Sequence, residues 1–430
     1  MAAARSNLTL FRPAHPVPDR NRESPMRILH TADWHIGQTL NGWSREAEHR
    51  AFLADLGRIL LAEQVDALLV AGDVFDGLNP SGEAQRLLYA ALAGYVRANP
   101  RLQIVLTSGN HDPAQRLEAP EAVLRELGVH VLGTLSRGPG GVDLDRHLIP
   151  LRDRAGQIRA QVLALPFLRQ ADLPGLRLGA EEGTEGAVTA ALRALLAETV
   201  ARAAAIAGTL PLIAMAHLTC AGGLESAGAE RRILIGGDHA VPPDVFPPAL
   251  AHVALGHLHR PQSLDGGRVR YSGAPFPLSA SEIGYDHGVT LLDLAGGAAP
   301  RHIPLPRPVP MLRLPAQGTA PLPEILAALD RLALPDCPRA EGPFLYLALR
   351  ADRPVTEITA ALDAALEALP LRLAGLTITR PETARPAAAP PQDLTRTTPE
   401  ALFAAAFRDL HGTEPETRHL SAFRDALSEV

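Results

Sequence analysis

The sequence has no lysine and very little cysteine. All 41 basic residues among the 430 are arginine, and Cys220 and Cys337 are the two cysteines. They lie far apart and outside any CxxC spacing, which argues against a disulfide framework and against a thiolate zinc site. Cysteine usage of this kind is typical of the reducing cytoplasm, so we expect a cytoplasmic protein.

The sequence also lacks an apolar run long enough for a membrane. The most apolar stretch, residues 203–216, is interrupted by Gly208, Thr209 and Pro211 and is too short to span a bilayer, so we expect no membrane association. Residues 1–25 contain no apolar signal core and are predicted to be a disordered extension or a start-site artefact, with an Arg-rich transit peptide as a less favoured alternative. The net charge of -6 argues against nonspecific coating of nucleic acid but leaves room for a local basic groove.

Strand-like and helical patterns alternate along the first part of the chain. Strands are predicted at 27–31, 67–71 and 104–107, and helices at 44–64, 83–98 and 113–127. This alternation predicts a largely parallel sheet covered by helices.

The middle of the chain has the features of a second sheet. A helix is predicted at 185–206, and strands at 161–165, 212–216, 252–255, 269–272 and 289–294. The last three strands have short connections, which suggests antiparallel hairpins. Two sheets face to face, flanked by helices, would give an α/β fold of the four-layer α/β/β/α sandwich type.

Proline-rich stretches divide the rest of the chain. Prolines from Pro304 to Pro310 mark the end of a catalytic domain at 26–300, and residues 301–380 are predicted to form a small α+β unit. A Pro-rich linker at 381–392 is expected to be extended. The segment 393–430 is predicted to form two short helices that dock on the body or bind a partner, because they cannot bury their apolar faces against each other alone.

Five short polar clusters stand at or near the ends of the apolar runs. They are Asp33-Trp34-His35, Gly72-Asp73, Gly109-Asn110-His111-Asp112, Ala216-His217 and Gly256-His257-Leu258-His259. Open α/β sheets build their sites at such strand ends. The side chains that could ligate metal are Asp33, His35, Asp73, Asn110, His217, His257 and His259. We predict that they hold two divalent cations, and the mixture suits manganese or iron better than magnesium.

The spacing of these residues predicts their chemistry. Asp33 and His35 would point the same way in an extended segment and could reach one ion, while the two oxygens of Asp73 could bridge both ions at about 4 Å. Two such ions favour in-line attack on phosphorus, so the predicted reaction is phosphoester hydrolysis. His111 is predicted to protonate the departing oxygen as a general acid, with Asp112 orienting it from behind.

Each cluster has a simpler explanation when it is taken alone. An Asp-x-His triplet or a Gly-Asp after a strand is more often a turn or a helix cap, and a lone histidine such as His217 is more often a buried structural residue. The conjunction of all five clusters favours the metal site. Other histidines, His30 and His252 among them, are interpreted as packing or surface residues.

The clusters resemble the signature of calcineurin-like metallophosphoesterases. The flanking segments, 26–37, 44–49, 70–76, 254–260 and 275–279, further resemble the SbcD family, the nuclease subunits of bacterial SbcCD complexes. The resemblance runs from Met26, where the family pattern usually begins, to about residue 300. A start-site artefact is therefore the favoured interpretation of residues 1–25.

This resemblance implies a manganese-dependent nuclease of DNA repair, recombination and replication. It would degrade double-stranded DNA ends 3′ to 5′ and cut hairpins, with an SbcC-type ATPase controlling access. The resemblance also implies a nucleoid-associated homodimer within a heterotetramer, DNA capping by 301–380, and SbcC binding by the terminal helices. One metal would be held by Asp33, His35, Asp73 and His259, and the other by Asp73, Asn110, His217 and His257, with His111 as proton donor.

Two other functions remain open at this point. A metallophosphoesterase for a small phosphodiester or a phosphoprotein would keep the metals, although the roughly 130 residues after the catalytic domain argue against a minimal enzyme. A DNA-tethering subunit with secondary nuclease activity would keep the partner-binding segment as its main working part.

Overall fold

The computed structural model describes residues 26–173, 186–226, 240–294, 299–380 and 398–428. The predicted extension at 1–25, the predicted linker at 381–392 and the first five residues of the predicted helical segment lie outside these ranges. In the part of the chain that the structure describes, no helix has the length and apolar character needed to cross a lipid bilayer.

The principal strands form three sheets. In chain order they are β1 (Arg27–Thr31), β2 (Ala67–Ala71), β3 (Gln103–Thr107), β4 (Val129–Leu132), β5 (Leu148–Arg152), β6 (Ile158–Ala164), β7 (Leu212–His217), β8 (His252–Gly256), β9 (Gln262–Leu264), β10 (Val269–Tyr271), β11 (Gly288–Asp293), β12 (Arg301–Pro304), β13 (Met311–Leu314), β14 (Phe344–Arg350) and β15 (Arg372–Thr379). Two-residue strands add small hairpins at Thr39–Leu40 with Trp43–Ser44 and at Arg137–Gly138 with Gly141–Val142.

Among the described residues, the structure contains the predicted helices, one of them interrupted, together with three others. They are α1 (Glu46–Ala62), α2 (Gly82–Ala98), α3 (Ala114–Glu118), α4 (Glu121–Arg125), α5 (Leu144–His147), α6 (Ala187–Ala207), α7 (Leu322–Leu329), α8 (Val355–Glu367), α9 (Pro399–His411) and α10 (Thr417–Ser428). The single helix predicted at 113–127 is instead two short helices, α3 and α4. Pro120 lies between them, and it lacks the N–H that a continuous helix would need.

The first sheet has the order β12-β11-β1-β2-β3-β4. Strands β1 to β4 are parallel, as the alternation predicted, and β11 and β12 add an antiparallel edge. Because β11 pairs with β1, the last strand of the middle region belongs to this sheet and not to the second one. That part of the prediction was wrong.

The second sheet has the order β9-β10-β8-β7-β6-β5. Its central strands β6, β7, β8 and β10 are parallel, and only the edge strands β5 and β9 are antiparallel. The expectation of antiparallel hairpins was therefore also wrong for the centre of this sheet. Residues of β7 and β8 are buried throughout, which is the pattern of parallel strands covered on both faces.

Three apolar layers hold the sheets and helices together. Alternate residues of β1 point to opposite faces, so that Ile28 packs between the two sheets with Val162, while Leu29 packs outward under Phe52 of α1. On the far side, Leu196 of α6 covers the second sheet. The order of layers is α/β/β/α, and the predicted four-layer sandwich is confirmed.

A smaller unit follows the sandwich. Its three strands β13, β14 and β15 are parallel and in sequence order, with α7 and α8 as crossovers. Leu347, Ile325 and Leu362 belong to its apolar core. The predicted α+β unit is thus α/β in its connectivity, because a strand-helix-strand alternation of this length places successive strands parallel.

Aromatic and arginine side chains join this unit to the sandwich. Two guanidinium groups lie over the ring of Phe344 in β14, that of Arg45 at 5.5 Å from the ring centroid and that of Arg372 at 3.7 Å. The Asn41 side chain donates a hydrogen bond of 3.0 Å to the carbonyl oxygen of Leu373. The hairpin before α1 therefore contacts the small unit directly.

The two terminal helices pack against each other through aromatic rings. Phe403 of α9 stacks on Phe423 of α10 with centroids 4.4 Å apart. Leu402 and Leu410 of α9 remain exposed, at 37% and 79%. The two helices predicted within 393–430 are present.

Candidate metal centre

The five clusters converge at the carboxyl ends of five strands. Asp33 and His35 follow β1, Asp73 follows β2, and Asn110 and His111 follow β3 in the first sheet. From the second sheet, His217 ends β7, and His257 and His259 follow β8. Because the two sheets pack face to face, their strand ends meet along one rim. The five clusters therefore lie together along this rim.

The backbone at this rim is left-handed at four ligand candidates. The φ angles are 55° at Asp33, 46° at His35, 50° at Asp73 and 98° at His257. The expectation that Asp33 and His35 occupy an extended segment was therefore wrong. Each such residue stores strain of order 1–3 kcal/mol, and such strain clusters at functional sites.

Two glycines make room for the ligand side chains. A Cβ atom at Gly72 would lie 2.2 Å from Nδ1 of His217, and a Cβ atom at Gly109 would lie 2.1 Å from Oδ1 of Asp73. Gly72 also has a φ of 87°, which disfavours any side chain there. The Gly-Asp and Gly-Asn-His patterns in the sequence thus have a steric cause.

The candidate ligand atoms fall into three overlapping groups. Within each group the atoms lie within 4.8 Å of one another, and every member is buried. The groups are Asp33 with His35 and His259, His35 with Asp73 and His111, and Asp73 with His217 and His257. Asp73 is shared between the two sides, which is the position a bridging carboxylate needs.

On one side of Asp73, acceptor atoms face each other. The Nδ1–H of His217 donates to the carbonyl oxygen of Ala71 at 2.9 Å, which leaves Nε2 facing Oδ1 of Asn110 at 3.0 Å and Oδ2 of Asp73 at 3.3 Å. Three acceptor atoms this close together need a cation or a proton between them. Burial alone would lower the pKa of His217, but the Asp73 carboxylate raises it to about 9, so a proton satisfies the cluster in the metal-free protein.

On the other side, two buried atoms have no hydrogen-bond partner among the described residues. They are Oδ2 of Asp33 and Nε2 of His35. Buried polar atoms are rarely left unpaired, because desolvation costs about 1–3 kcal/mol for each. Carboxylate oxygen and imidazole nitrogen are ligands for Mn²⁺, Fe²⁺ and Zn²⁺. The residues therefore fit a divalent cation here as well.

The other imidazole nitrogens are oriented by two carboxylates that sequence reasoning missed. Nδ1 of His35 lies 3.1 Å from Oδ1 of Asp76, and Nδ1–H of His259 donates to Oε1 of Glu282 at 2.9 Å. Asp76 stands three residues after Asp73 and could have been suspected. Glu282 lies beyond the resembling segment 275–279 and gave no signal of its own.

His111 is the most exposed histidine of the site. Its Nδ1–H donates to the carbonyl oxygen of Asp76 at 2.9 Å, and its ring meets that of His35 edge-on with centroids 4.7 Å apart. It is 9% exposed, more than the other site histidines. Because Nδ1 is held by this bond, proton transfer or metal binding at His111 would fall to Nε2.

Asp112 has a different place from the one expected. Its two carboxylate oxygens accept backbone N–H groups of Val74, Phe75 and Gly109 at 2.8 to 3.1 Å. The contact that orients Nδ1 of His111 comes from Asp76 instead, so the orienting role given to Asp112 needs correction. Asp112 accepts backbone N–H groups from two adjacent loops, the one after Asp73 and its own, and so holds these loops together.

The carboxylates of the site respond differently to burial. Burial raises the pKa of Asp33, with the nearby histidines opposing the rise. Asp73 is buried too, but the adjacent His217 outweighs burial and lowers its pKa. Burial, together with the charge of Asp73, raises the pKa of Asp112 to about 6. Of these three carboxylates, Asp73 is therefore the one whose ionised form the site favours.

This fold and this rim of carboxylates and imidazoles define a class of metal-dependent phosphoesterase. The family model of the calcineurin-like phosphoesterases matches residues 26–261. That range contains every candidate ligand and His111, and the chain belongs to this family. The family model described as "Type 5 capsule protein repressor C-terminal domain" matches residues 307–410.

Relatives narrow the family further. The SbcD subunit of the nuclease SbcCD from Rhodobacter capsulatus is 99% identical over 405 residues, which are 94% of this chain and 100% of that protein. The SbcD subunits of Escherichia coli strain K12 and Bacillus subtilis are 33% and 35% identical, over 81% and 63% of this chain and 84% and 67% of theirs. Within the calcineurin-like phosphoesterases, the chain belongs to the SbcD family.

Proposed function

We propose that this chain is the nuclease subunit of an SbcCD-type complex and hydrolyses DNA phosphodiester bonds with two divalent cations, most favourably Mn²⁺. The observation that carries the proposal is the clustering of buried aspartate and histidine side chains around Asp73, with Asp33 Oδ2 and His35 Nε2 buried and without a hydrogen-bond partner among the described residues. The kinship with proteins named as nucleases supports DNA as the substrate.

The ligands divide into two sets around Asp73. One set is Asp33, His35, Asp73 and His259, and the other is Asp73, Asn110, His217 and His257. Bound cations would supply charge neutralisation at phosphorus and a water of lowered pKa. The protein supplies the rest: Asp112 holds the loops of Asp73 and Asn110 together, and burial keeps bulk water from the ligands.

His111 is the proton donor in this proposal. The bond from its Nδ1–H to the carbonyl oxygen of Asp76 fixes the ring, so that Nε2 would deliver the proton to the leaving oxygen. General acid catalysis of this kind contributes about 10²–10⁴ in rate. His111 also lies within ligand distance of His35 and Asp73, so metal binding must be measured alongside activity in any His111 variant.

The remaining parts of the chain fit the partners that the family resemblance implies. The α9–α10 pair exposes Leu402 and Leu410, which suits docking of an SbcC-type ATPase. The small α/β unit would cap the DNA beside the rim. Double-strand degradation from 3′ to 5′, hairpin cleavage, homodimerisation and association with the nucleoid complete the proposal.

A comparison of substrates tests the proposal. The purified chain with Mn²⁺ is given blunt duplex DNA labelled at either end, a DNA hairpin, and bis-p-nitrophenyl phosphate, each with and without the ATPase partner. We expect cleavage of both DNA substrates, stimulated by the ATPase, and recession of the 3′ ends. Turnover of the small ester with intact DNA would instead identify a small-substrate phosphodiesterase.

A further inference from the structure

Of the two carboxylates that contact Nδ1 of a ligand histidine, Glu282 is far more deeply buried than Asp76. Glu282 has no solvent exposure, and its Oε1 accepts the Nδ1–H of His259 at 2.9 Å. We propose that Glu282 is a positioning residue, which orients His259 as an Nε2 ligand and sets the affinity of the metal position formed with Asp33 and His35. This inference rests on the proposed two-metal function.

Glu282 is itself held in place by the turn that carries it. Its Oε2 accepts the backbone N–H of Leu278 at 2.9 Å, and the Ser279 hydroxyl donates to Oε1 at 3.1 Å. The backbone oxygen of Glu282 lies 3.1 Å from Nε2 of His287. With both oxygens occupied by donors, the carboxylate has little freedom to rotate away from His259.

The loop that ends at Glu282 also fixes the backbone of His259. The N–H of Ala274 donates to the carbonyl oxygen of His259 at 3.0 Å. Further along the loop, the buried Arg45 donates from Nη2 to the carbonyl oxygen of Pro277 at 2.8 Å. His259 is therefore held at its backbone and at its ring by one loop, which is anchored to α1. The segment 275–279, which resembles the SbcD family, is thus part of the loop that supports His259 and supplies no ligand itself.

The other imidazoles have weaker supports. His217 donates to a neutral carbonyl oxygen, that of Ala71, and the carboxylate near His35 belongs to Asp76, whose side chain is 37% exposed. A buried charge acts through a lower dielectric than an exposed one, so Glu282 should raise the basicity of its histidine most. Its loss should weaken one metal position and spare the position of His217 and His257.

The substitution Glu282→Gln tests this at constant side-chain size. Mn²⁺ binding to the metal-free chain is followed by calorimetry, and Mn²⁺ activation is followed on bis-p-nitrophenyl phosphate. We expect one of two binding steps to weaken by about 10–100-fold and the other to stay the same. Activity should need correspondingly more Mn²⁺ and return close to the original rate at saturation.

Asp66→Asn is the matched control. Asp66 is also buried and accepts a backbone N–H, that of Arg27 at 2.8 Å. It directly precedes β2 and so lies at the amino ends of the strands, away from the rim. This variant should bind both Mn²⁺ ions normally. In the metal-free protein, the Nδ1 proton resonance of His259 should move upfield in Glu282→Gln and not in Asp66→Asn.

The outcomes distinguish a failure of the inference about Glu282 from a failure of the proposed function. Unchanged Mn²⁺ affinity in Glu282→Gln would overturn the inference, and so would an activity loss that Mn²⁺ does not restore, accompanied by a lower melting temperature. If the unsubstituted chain itself binds no Mn²⁺, the proposed function fails, and the His259 proton resonance still decides whether Glu282 orients the ring.

Discussion

The sandwich rim and the small α/β unit bury different kinds of side chain, charged and polar ones at the rim and aliphatic ones in the small unit. At the rim, Asp33, Asp73 and His217 are buried at 0–2% exposure. Among the described residues 311–380, Arg372 is the one buried charged side chain, and the core is aliphatic. Burying a charge costs free energy unless a partner compensates. The buried charges at the rim therefore reduce the stability of the fold but can bind metal, whereas the aliphatic interior of the small unit stabilises the fold.

The backbones of the two regions differ in the same way. Left-handed non-glycine residues occur at four positions of the rim, and none is found among the described residues of the small unit. Strained backbone persists where the surrounding structure holds it in place. The comparison teaches that substitutions at the rim should change activity more than stability, and that substitutions in the small unit should do the reverse.

The largest expected effect is on turnover at the rim. His111→Ala should lower kcat by about 10²–10⁴-fold, because it removes a general acid. Since His111 supplies no ligand in the proposed sets, both Mn²⁺ binding steps and the melting temperature should stay close to those of the unsubstituted chain. Calorimetry and single-turnover kinetics provide these readouts. A variant that loses Mn²⁺ instead would identify His111 as a ligand.

The core of the small unit should show the opposite response. Leu345 is fully buried in β14, and Leu345→Ala should reduce the free energy of unfolding of that unit by about 2–5 kcal/mol. Denaturant titration measures the loss. Hydrolysis of a small phosphodiester at 25 °C should be unchanged, because no rim residue is touched. A parallel loss of hydrolysis would break the comparison.

Asp33→Asn sharpens the comparison inside the rim. Asparagine tolerates the left-handed backbone at this position and can still accept the N–H of His257, which lies 2.9 Å from Oδ1. Removing one ligand charge should cost roughly 10²-fold in kcat/KM, about 3 kcal/mol. The metal-free protein should be as stable as before or more stable, since burial raises the pKa of Asp33 and thus opposes its ionisation. A clear drop in metal-free stability would argue that Asp33 serves folding.

The smallest effect concerns pH and a buried histidine away from the rim. Burial, helped by Arg270, lowers the pKa of His252 to about 4, against about 6.5 when unfolded. The free energy of unfolding is therefore unaffected by protonation of His252 above pH 6.5. It decreases as the pH falls from 6.5 toward 4, by at most ~3 kcal/mol, because the unfolded chain binds the proton more readily. His252→Gln should flatten this part of the stability curve. His30, 6.4 Å away and also depressed in pKa by burial, should retain a similar dependence. An unchanged curve would contradict the assignment.

Sequence patterns predicted the strands that carry the site because their apolar runs and polar ends are local features. β1, β2 and β7 lie within a residue or so of their predicted bounds. Sheet membership was harder to predict. Nothing local distinguishes a strand such as β11, which crosses back to the first sheet, from one that stays in the second, because the choice depends on packing over hundreds of residues.

The ligand candidates were predictable for the same local reason, and their supports were not. Asp33 and Asp73 come two residues after a strand and His217 ends one, so the pattern marks them. Glu282 reaches His259 from a turn 23 residues away in sequence, and its carboxylate resembles any surface acid until the fold encloses it. The left-handed backbone at Asp33 and His35 was also missed, since it is imposed by contacts with the loop of Asp73.

The central claim is that one rim holds two cations around Asp73. Anomalous diffraction from Mn²⁺-loaded crystals tests it most directly. We predict two manganese peaks roughly 3.5–4 Å apart, both within bonding distance of Asp73, with one beside His259 and the other beside His217. A single peak at full occupancy, or peaks away from Asp73, would contradict this account.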